Sequence, residues 1–220
     1  MPKLRILGLS LIFIFASCRT SRILLSPVTE NIQRIEGHAS LSLSAEDQKA
    51  RSKFSFAFEL PDKGRISVSN FLGQTLYQIL SVEGSSYFIL PSKRVYWQGM
   101  EEEIFEKFLG FPLSLWEAIS LFTGKWAADS DNQGWVFERD KQGRITKGRR
   151  EPLVFRVGNF IGGTIFPEIL FFSHPNSEGK VRMLRLLLNT RLPETAFDSS
   201  FLKRFSRKTW SEIEALLYLP

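Results

Sequence analysis

Few side chains in this 220-residue sequence are spaced for acid–base, nucleophilic or metal chemistry. The two histidines, His38 and His174, lie far apart, and no His-Glu-x-x-His spacing for zinc is present. The sequence also lacks a Gly-x-Ser-x-Gly nucleophile elbow and a glycine-rich phosphate loop. Three acids, Glu101–Glu103, open a predicted helix, where carboxylates interact favourably with the helix dipole. We therefore expect no catalytic residue, no metal site, no cofactor and no enzymatic activity.

Two charged segments allow a second interpretation. Asp129, Asp131 and Gly134 are spaced as in a calcium loop, but the twelfth position is Asp140 rather than Glu and no long helices flank it, so a polar turn is favoured. Five basic residues cluster over a predicted hairpin: Lys141, Arg144, Lys147, Arg149 and Arg150. A solvated hairpin is the first interpretation, and contact with anionic lipid is the alternative.

Cys18, the only cysteine, is the residue with the clearest covalent chemistry. It follows a short positive region, an apolar run and the small residues Ala16 and Ser17, which is the order of a secretory signal peptide. The apolar run has about ten residues, half of what a spanning helix needs. The sequence Phe-Ala-Ser-Cys resembles the lipobox of bacterial lipoproteins, which implies a signal peptide over 1–17 and a lipid on Cys18. The alternative is an ordinary signal peptide with a cysteine there by chance.

The mature chain from Cys18 is long enough for one domain with a sizeable core. We divide it into a lipidated tether with a short helix over Pro27–Ile35, spanning 18–36, and a domain with a C-terminal helical tail, spanning 37–220. Without Lys3 and Arg5, 27 basic residues face 23 acidic ones, a mild excess. Since no dense basic stripe is visible, we expect no nucleic-acid partner, and we expect a monomer.

The domain begins with strand patterns. Between Lys53 and Leu60, phenylalanines alternate with small or charged residues, and the alternation continues through Ile66 and Val68 after a Pro-Asp-Lys-Gly turn. Further alternating segments follow on both sides of a helical middle part. Strands with one apolar face, joined by short turns, indicate an antiparallel sheet.

Three segments have helical spacing instead. Two lie in the middle of the chain, at Glu101–Gly110 and Leu113–Gly124, and the third is the C-terminal tail from Trp210. A sheet with so few helices must curl, or use the helices as a lid, to cover its apolar face. We therefore predict a mainly β (α+β) fold, an incomplete antiparallel β-barrel, or half-barrel, whose short helices form a lid over an apolar cavity.

Phenylalanine makes up 20 of the 220 residues, well above ordinary usage. Either these side chains fill a packed core, or they line a wide cavity for a lipid. Under the second interpretation, the lining residues lie on the inward faces of the predicted strands and helices: Phe54, Phe56, Phe58, Ile66, Val68, Phe105, Phe108, Leu115, Ile119 and Phe122.

One predicted turn, Asn70-Phe71-Leu72-Gly73, carries two large apolar side chains at a place that normally faces water. It resembles the Asn-Pro-Leu-Gly turn of the LolB family, with Phe71 in place of Pro. The segment Lys107–Gly124 is similar to that family's Gly-x-Pro-x-x-Leu helix pair. The resemblance covers about Gly37 to Gly124.

The resemblance implies a fold and a function. LolB proteins are half-barrels with a helical lid, anchored by lipid to the periplasmic face of the outer membrane. Their cavity takes acyl chains of lipoproteins from a LolA-like periplasmic carrier, and the leucine of the turn helps to deliver the cargo into the membrane. That role would fall here on Leu72, with Phe71 beside it at the membrane interface.

Other functions stay open at this point. The chain could be an envelope lipoprotein that uses the same scaffold to bind a protein or glycolipid, and its tail after Leu192 is longer than expected for LolB. That tail could be an extra helix against the barrel or a partner surface. A hydrolase of lipids or glycans is the weakest hypothesis, because no nucleophile or carboxylate pair has convincing spacing.

Overall fold

A computed structural model describes residues 23–25, 31–45, 48–70, 72–126, 134–175 and 177–218. Its strands are β1 (Leu24–Leu25), β2 (Arg34–Ala45), β3 (Gln48–Glu59), β4 (Lys63–Ser69), β5 (Thr75–Val82), β6 (Ser85–Leu90), β7 (Val95–Gly99), β8 (Val136–Arg139), β9 (Ile145–Arg150), β10 (Leu153–Phe160), β11 (Pro167–His174), β12 (Ser177–Leu188) and β13 (Ser206–Arg207). Its α-helices are α1 (Glu101–Leu109), α2 (Leu115–Thr123) and α3 (Trp210–Tyr218).

All thirteen strands form one sheet that does not close into a barrel, so the predicted half-barrel with a lid of short helices is confirmed. The order is β13-β7-β6-β5-β4-β3-β2-β12-β11-β10-β9-β8, with β1 added beside β12. Neighbours are antiparallel except for the short pairs β1–β12 and β13–β7, which are parallel. The long central strands β2, β3 and β12 join the two halves of the sheet.

The three helices lie on the inner face of the sheet, where the large core forms. Strict alternation turns Phe54, Phe56 and Phe58 of β3 inward, and all three are buried. Helix α2 begins at Ser114, whose Oγ accepts a hydrogen bond from the Glu117 amide while the Glu117 carboxylate accepts one from the Ser114 amide. Gly124 ends α2 with a φ of 66°, which a residue with a Cβ rarely adopts.

The C-terminal tail wraps around the edge of the sheet. After β12, two short 3₁₀ segments, Glu194–Phe197 and Ser200–Arg204, cross the outer face, and β13 then pairs with the edge strand β7. The crossing buries a small second core of Leu80, Val82, Ile89 and Leu202. The chain then returns to the inner face as α3. The tail is therefore an extra helix against the sheet, one of the two arrangements considered above.

One predicted helix is wrong in its described part. The pattern from Pro27 to Ile35 suggested a short helix, but Asn31 to Gln33 are irregular and β2 begins at Arg34. Ile35 pairs with Phe58 and Leu188 and is 1% exposed. Ile35 is held by pairing with a strand on each side and by burial of its side chain. These long-range interactions outweigh the local helix signal, a proline followed by a glycine stop.

Candidate functional site

An apolar cavity of about 60 Å³ lies between the inner face of the sheet and helices α1 and α2. Every described residue around it is apolar, so these residues offer no hydrogen bond to water or to a polar ligand. The residues around it come from both halves of the sheet and from the helices and their connection: Leu41, Phe54, Ile66, Phe105, Leu109, Phe111, Leu113, Ala118, Leu121, Phe122, Trp135, Leu153, Phe155, Leu170, Phe171, Phe172 and Val181.

The structure divides the ten predicted lining residues into three groups. Phe54, Ile66, Phe105 and Phe122 surround the cavity. Five others are buried in the same core without reaching it: Phe56, Phe58, Val68, Leu115 and Ile119. The backbone of Phe108 lies in α1, and its side chain lies outside what the structure describes.

Phe122 of α2 packs against all three inward phenylalanines of β3. Its ring lies 5.0 Å from that of Phe56, 6.0 Å from that of Phe54 and 6.1 Å from that of Phe58, measured between centroids. Such ring pairs add about 0.5–1.5 kcal/mol each beyond their buried area. These contacts occupy the inner face of β3 next to the cavity.

Sequence reasoning missed the aromatic wall on the other side of the cavity. Trp126, Trp135, Phe137 and Phe155 pack together, with the rings of Trp126 and Phe155 stacked 5.7 Å apart. The sequence shows that β8 and β10 have apolar faces, but not that the sheet curls enough to bring them to α2. The two tryptophans that follow α2 closely in the sequence, Trp126 and Trp135, were the available signal.

A buried ion pair ties α2 to this wall. Glu117 is 2% exposed and accepts hydrogen bonds from the Trp135 indole nitrogen at 2.6 Å and from the Arg150 guanidinium. Arg150 also donates to the Pro112 carbonyl oxygen at 3.0 Å, in the connection between α1 and α2. The two helices are thus fastened to β9 at one charged point, and elsewhere their inward contacts are mainly apolar.

A groove of about 210 Å³ opens beneath α3. Leu41 lines both this groove and the cavity, and Leu43, Tyr77 and Phe88 continue the groove across the sheet. Burial raises the pKa of Tyr77 far above its ordinary value. The other residues along it are Ala50, Ser52, Lys107, Trp210 and Leu217.

The turn between β4 and β5 is well ordered around Asn70. The Asn70 side-chain oxygen accepts hydrogen bonds from the amides of Leu72 and Gln74, both at 3.0 Å. Gly73 has a φ of 81°, and its amide donates to the Asn70 carbonyl at 3.1 Å. This geometry holds the Leu72 side chain 68% exposed. Phe71 lies outside the described residues.

The basic hairpin is mostly neutralised by nearby acids. Arg144 pairs with Asp140 at 2.8 Å, Lys147 with Glu138 at 2.7 Å, and Arg149 with Glu151 at 3.4 Å, and Arg150 pairs with Glu117. Of the five basic residues, four therefore have a partner. The solvated hairpin remains the better interpretation of this cluster.

Some predictions fall outside the described residues, namely Cys18, the signal peptide over 1–17, and Asp129 and Asp131 of the calcium-like segment. In the described part of the chain, no three His, Cys, Asp or Glu side chains gather as metal ligands would. No helix in that part has the length and hydropathy to cross a membrane.

The sequence matches no protein-family model and no curated protein. The fold, however, is similar to solved structures. A DUF1329 family protein from Desulfovibrio piger aligns over 79% of this chain and 92% of its own, with a TM-score of 0.57 and 12% identity. A domain from Vibrio parahaemolyticus, named for outer membrane lipoprotein sorting, aligns over 80% and 93%, with a TM-score of 0.57 and 14% identity. A LolA superfamily protein from Nitrosomonas europaea aligns over 77% and 91%, with a TM-score of 0.48 and 9% identity.

At these identities, the first two similarities show a shared fold. None of the three is named as a LolB protein, and the finer resemblance to LolB stays a prediction.

Proposed function

We propose that this protein is a non-enzymatic carrier of lipid acyl chains, which it holds between the inner face of the sheet and the helices. The observation that carries the proposal is the wholly apolar cavity beneath two short helices. Cavities of this kind stay dry and bind apolar molecules. The lipoprotein-sorting name of a protein with the same fold supports lipoprotein acyl chains as the cargo.

The volume of the cavity adds a condition. At about 60 Å³ it is well below the roughly 300–1,000 Å³ of ordinary ligand sites. Under this proposal, loading requires α2 to move and Phe122 to leave its place against β3. The groove beneath α3, which shares Leu41 with the cavity, is the proposed entrance for the chain.

The proposal extends to the outer membrane. In it, Cys18 carries the lipid anchor and Leu72 dips into the acyl boundary, where large exposed apolar groups find an apolar partner. Three cations lie beside this turn. Lys53 of β3 pairs with Ser69, the last residue of β4 before the turn. Arg51 and Lys49 lie on the same strand, β3, on the turn side of Lys53. These three make no ion pair with any residue that the structure describes, although Glu46 and Asp47 precede them.

The direction of β1 agrees with an anchor on the same side. β1 runs parallel to β12, which begins at the end of the sheet where the Leu72 turn lies. Cys18 precedes Ile23 by five residues, which can span at most about 18 Å. The N-terminus of β1 therefore points towards the end of the sheet that carries the Leu72 turn, as a shared membrane would require.

Quenching of tryptophan fluorescence by brominated fatty acids tests the carrier function. A chain in the cavity lies against Trp135, whereas Trp116 sits on the outer side of α2, 37% exposed. We expect saturable quenching that persists in Trp116→Phe and falls clearly in Trp135→Phe. Reduced quenching in Trp210→Phe as well would mark the α3 groove as part of the path.

A cavity-filling variant provides a matched control. Ala118→Leu adds apolar volume from α2 into the cavity, whereas Ala215→Leu makes the same change on an exposed face of α3. We expect about ten-fold weaker fatty-acid binding in the first and no change in the second. Equal binding in both variants would place the lipid elsewhere.

The largely filled core favours a second candidate function, an envelope lipoprotein that binds a protein or glycolipid through its surface. It predicts no saturable quenching by any brominated chain. In that case the exposed turn at Leu72 and the outer face of the tail become the surfaces to probe.

A further inference from the structure

A polar depression of about 270 Å³ lies on the outer face, on the opposite side of the sheet from the cavity. It forms because small residues, Ser55 and Ala57, cover its floor on β3. Glu36 and His38 of β2, Arg65 of β4 and Arg185 of β12 stand around this floor. Leu192 and Pro193, where the tail leaves the sheet, close one side.

Arg65 is the unusual residue of this depression. Its neighbours across the strands are Ala57 and Leu80, and Leu80 belongs to the buried second core. Arg65 is half-buried, and desolvation lowers the pKa of its guanidinium. It forms neither an ion pair nor a side-chain hydrogen bond with any described residue. Placing a cation there without a counter-charge costs free energy that a bound anion would offset.

A second guanidinium stands across the depression. Arg185 lies opposite His38, and His38 lies opposite Ser55, so the three form one row on the outer face. Arg185 is also without an ion-pair partner in the described part of the chain. The acid Glu59, further along β3, is already engaged by Arg34 at 2.7 Å and Lys63 at 3.0 Å. Among the residues that the structure describes, Glu36 is the one carboxylate that lines the depression.

We propose that this depression binds a phosphate group between Arg65 and Arg185. Guanidinium groups bind phosphate oxygens in a planar, bidentate manner, and the Ser55 hydroxyl and the His38 ring supply further hydrogen bonds. Glu36 defines the chemistry more narrowly, because a carboxylate repels an anion that has no proton to donate. A phosphate that retains a proton donates a hydrogen bond to the Glu36 carboxylate, whereas sulfate has no proton with which to do so. The site is independent of the carrier function.

The test titrates the purified protein at low ionic strength and about pH 5.5, where inorganic phosphate and glycerol 3-phosphate both retain a proton and sulfate has none. Calorimetry gives the affinities, and NMR follows the ring signals of the two histidines. We expect phosphate to shift the signals of His38 and to leave those of His174, on the inner side against Phe111, unchanged. Sulfate binds at least about ten-fold more weakly if Glu36 acts as described. Tighter binding of glycerol 3-phosphate than of phosphate would identify a phosphate monoester, rather than free phosphate, as the natural ligand.

Variants separate a built site from general surface charge. Arg65→Gln is expected to weaken phosphate binding about ten-fold, Arg65→Lys less, and Glu36→Gln to remove the preference over sulfate. Arg156→Gln is the matched control, since Arg156 is exposed on the same face but lies over Phe171, 4.7 Å from the ring centroid. If Arg65→Gln proves unstable, Arg185→Gln tests the same point. Equal losses in the Arg65 and Arg156 variants, or no binding to the unaltered protein, would overturn the proposal.

Discussion

Glu117 ties helix α2 to the wall formed by Trp135 and Arg150. Its carboxylate is buried and accepts three hydrogen bonds, from the amide of Ser114 at 2.9 Å, from the indole of Trp135 at 2.6 Å and from Arg150. The two charges differ in their access to water, because the Glu117 side chain is 3% exposed and that of Arg150 26%. Removing Arg150 is therefore expected to lower the free energy of unfolding more than removing the charge of Glu117.

Arg150→Met strands a buried carboxylate and is expected to lower the free energy of unfolding by about 3 kcal/mol. Glu117→Gln leaves a guanidinium that can turn to water, and its cost is about 1–2 kcal/mol. Urea denaturation measures both, and the double variant should be more stable than Arg150→Met alone. Arg149→Met is the control, because its pair with the exposed Glu151 is worth about 0–1 kcal/mol. Equal losses at positions 149 and 150 would contradict this account.

At the scale of elements, α3 is held at its N-terminus by charge and along its length by apolar contact. Glu212 accepts hydrogen bonds from the Lys208 ammonium at 2.7 Å and from the Thr209 amide at 2.8 Å. These bonds lower its pKa from 4.5 to about 2. A depressed carboxyl pKa stabilises the folded helix above pH 4.5, and this contribution is lost as the pH falls towards 2.

The expected result is that α3 loosens between about pH 4.5 and about pH 2. The indole N–H signal of Trp210 reports it in an NMR titration, because this ring packs 5.5 Å from Phe88 and 5.0 Å from Trp97. In Glu212→Gln the signal should be displaced already at neutral pH. Glu214→Gln changes an exposed acid of the same helix and should leave the wild-type titration in place.

The elements that could be predicted are those whose pattern is local. The alternation at Phe54, Phe56 and Phe58 predicted β3 and its inward face, and the spacing from Trp210 predicted α3. Two-residue strands such as β13 have no period to recognise and exist only because the edge of β7 is free to pair. Ile35 shows the opposite case, in which long-range pairing replaced a predicted helix.

The candidate site could be predicted only in part for the same reason. Phe105 and Phe122 lie on helices whose apolar stripes are visible in the sequence. Trp135 and Leu170 belong to distant strands, and only the curl of the sheet brings them to α2. Arg65 was not singled out from the sequence. A single arginine on an alternating strand does not show whether an acid will lie close enough to pair with it.

At the scale of the whole molecule, the apolar turn and its neighbouring cations point to the same end of the sheet. Leu72 and Leu76 are 68% and 45% exposed, and β3 brings Lys49, Arg51 and Lys53 alongside. An apolar side chain that enters the acyl boundary gains about 1.5–3 kcal/mol. Each nearby Lys or Arg adds about 1 kcal/mol to the binding free energy at an anionic membrane. Salt weakens this electrostatic contribution but not the apolar one.

Transfer of a bound fluorescent fatty acid to vesicles tests this arrangement. Leu72→Glu is expected to slow transfer at least ten-fold while leaving fatty-acid binding unchanged, because the turn takes no part in the cavity. Leu184→Glu changes a leucine that is 40% exposed on β12 and serves as the matched control. Replacing Lys49 and Arg51 by Gln should reduce transfer to anionic vesicles at low salt and have no effect on neutral ones. Equal transfer by the Leu72 and Leu184 variants would mean that another surface meets the membrane, even if the cavity carries lipid.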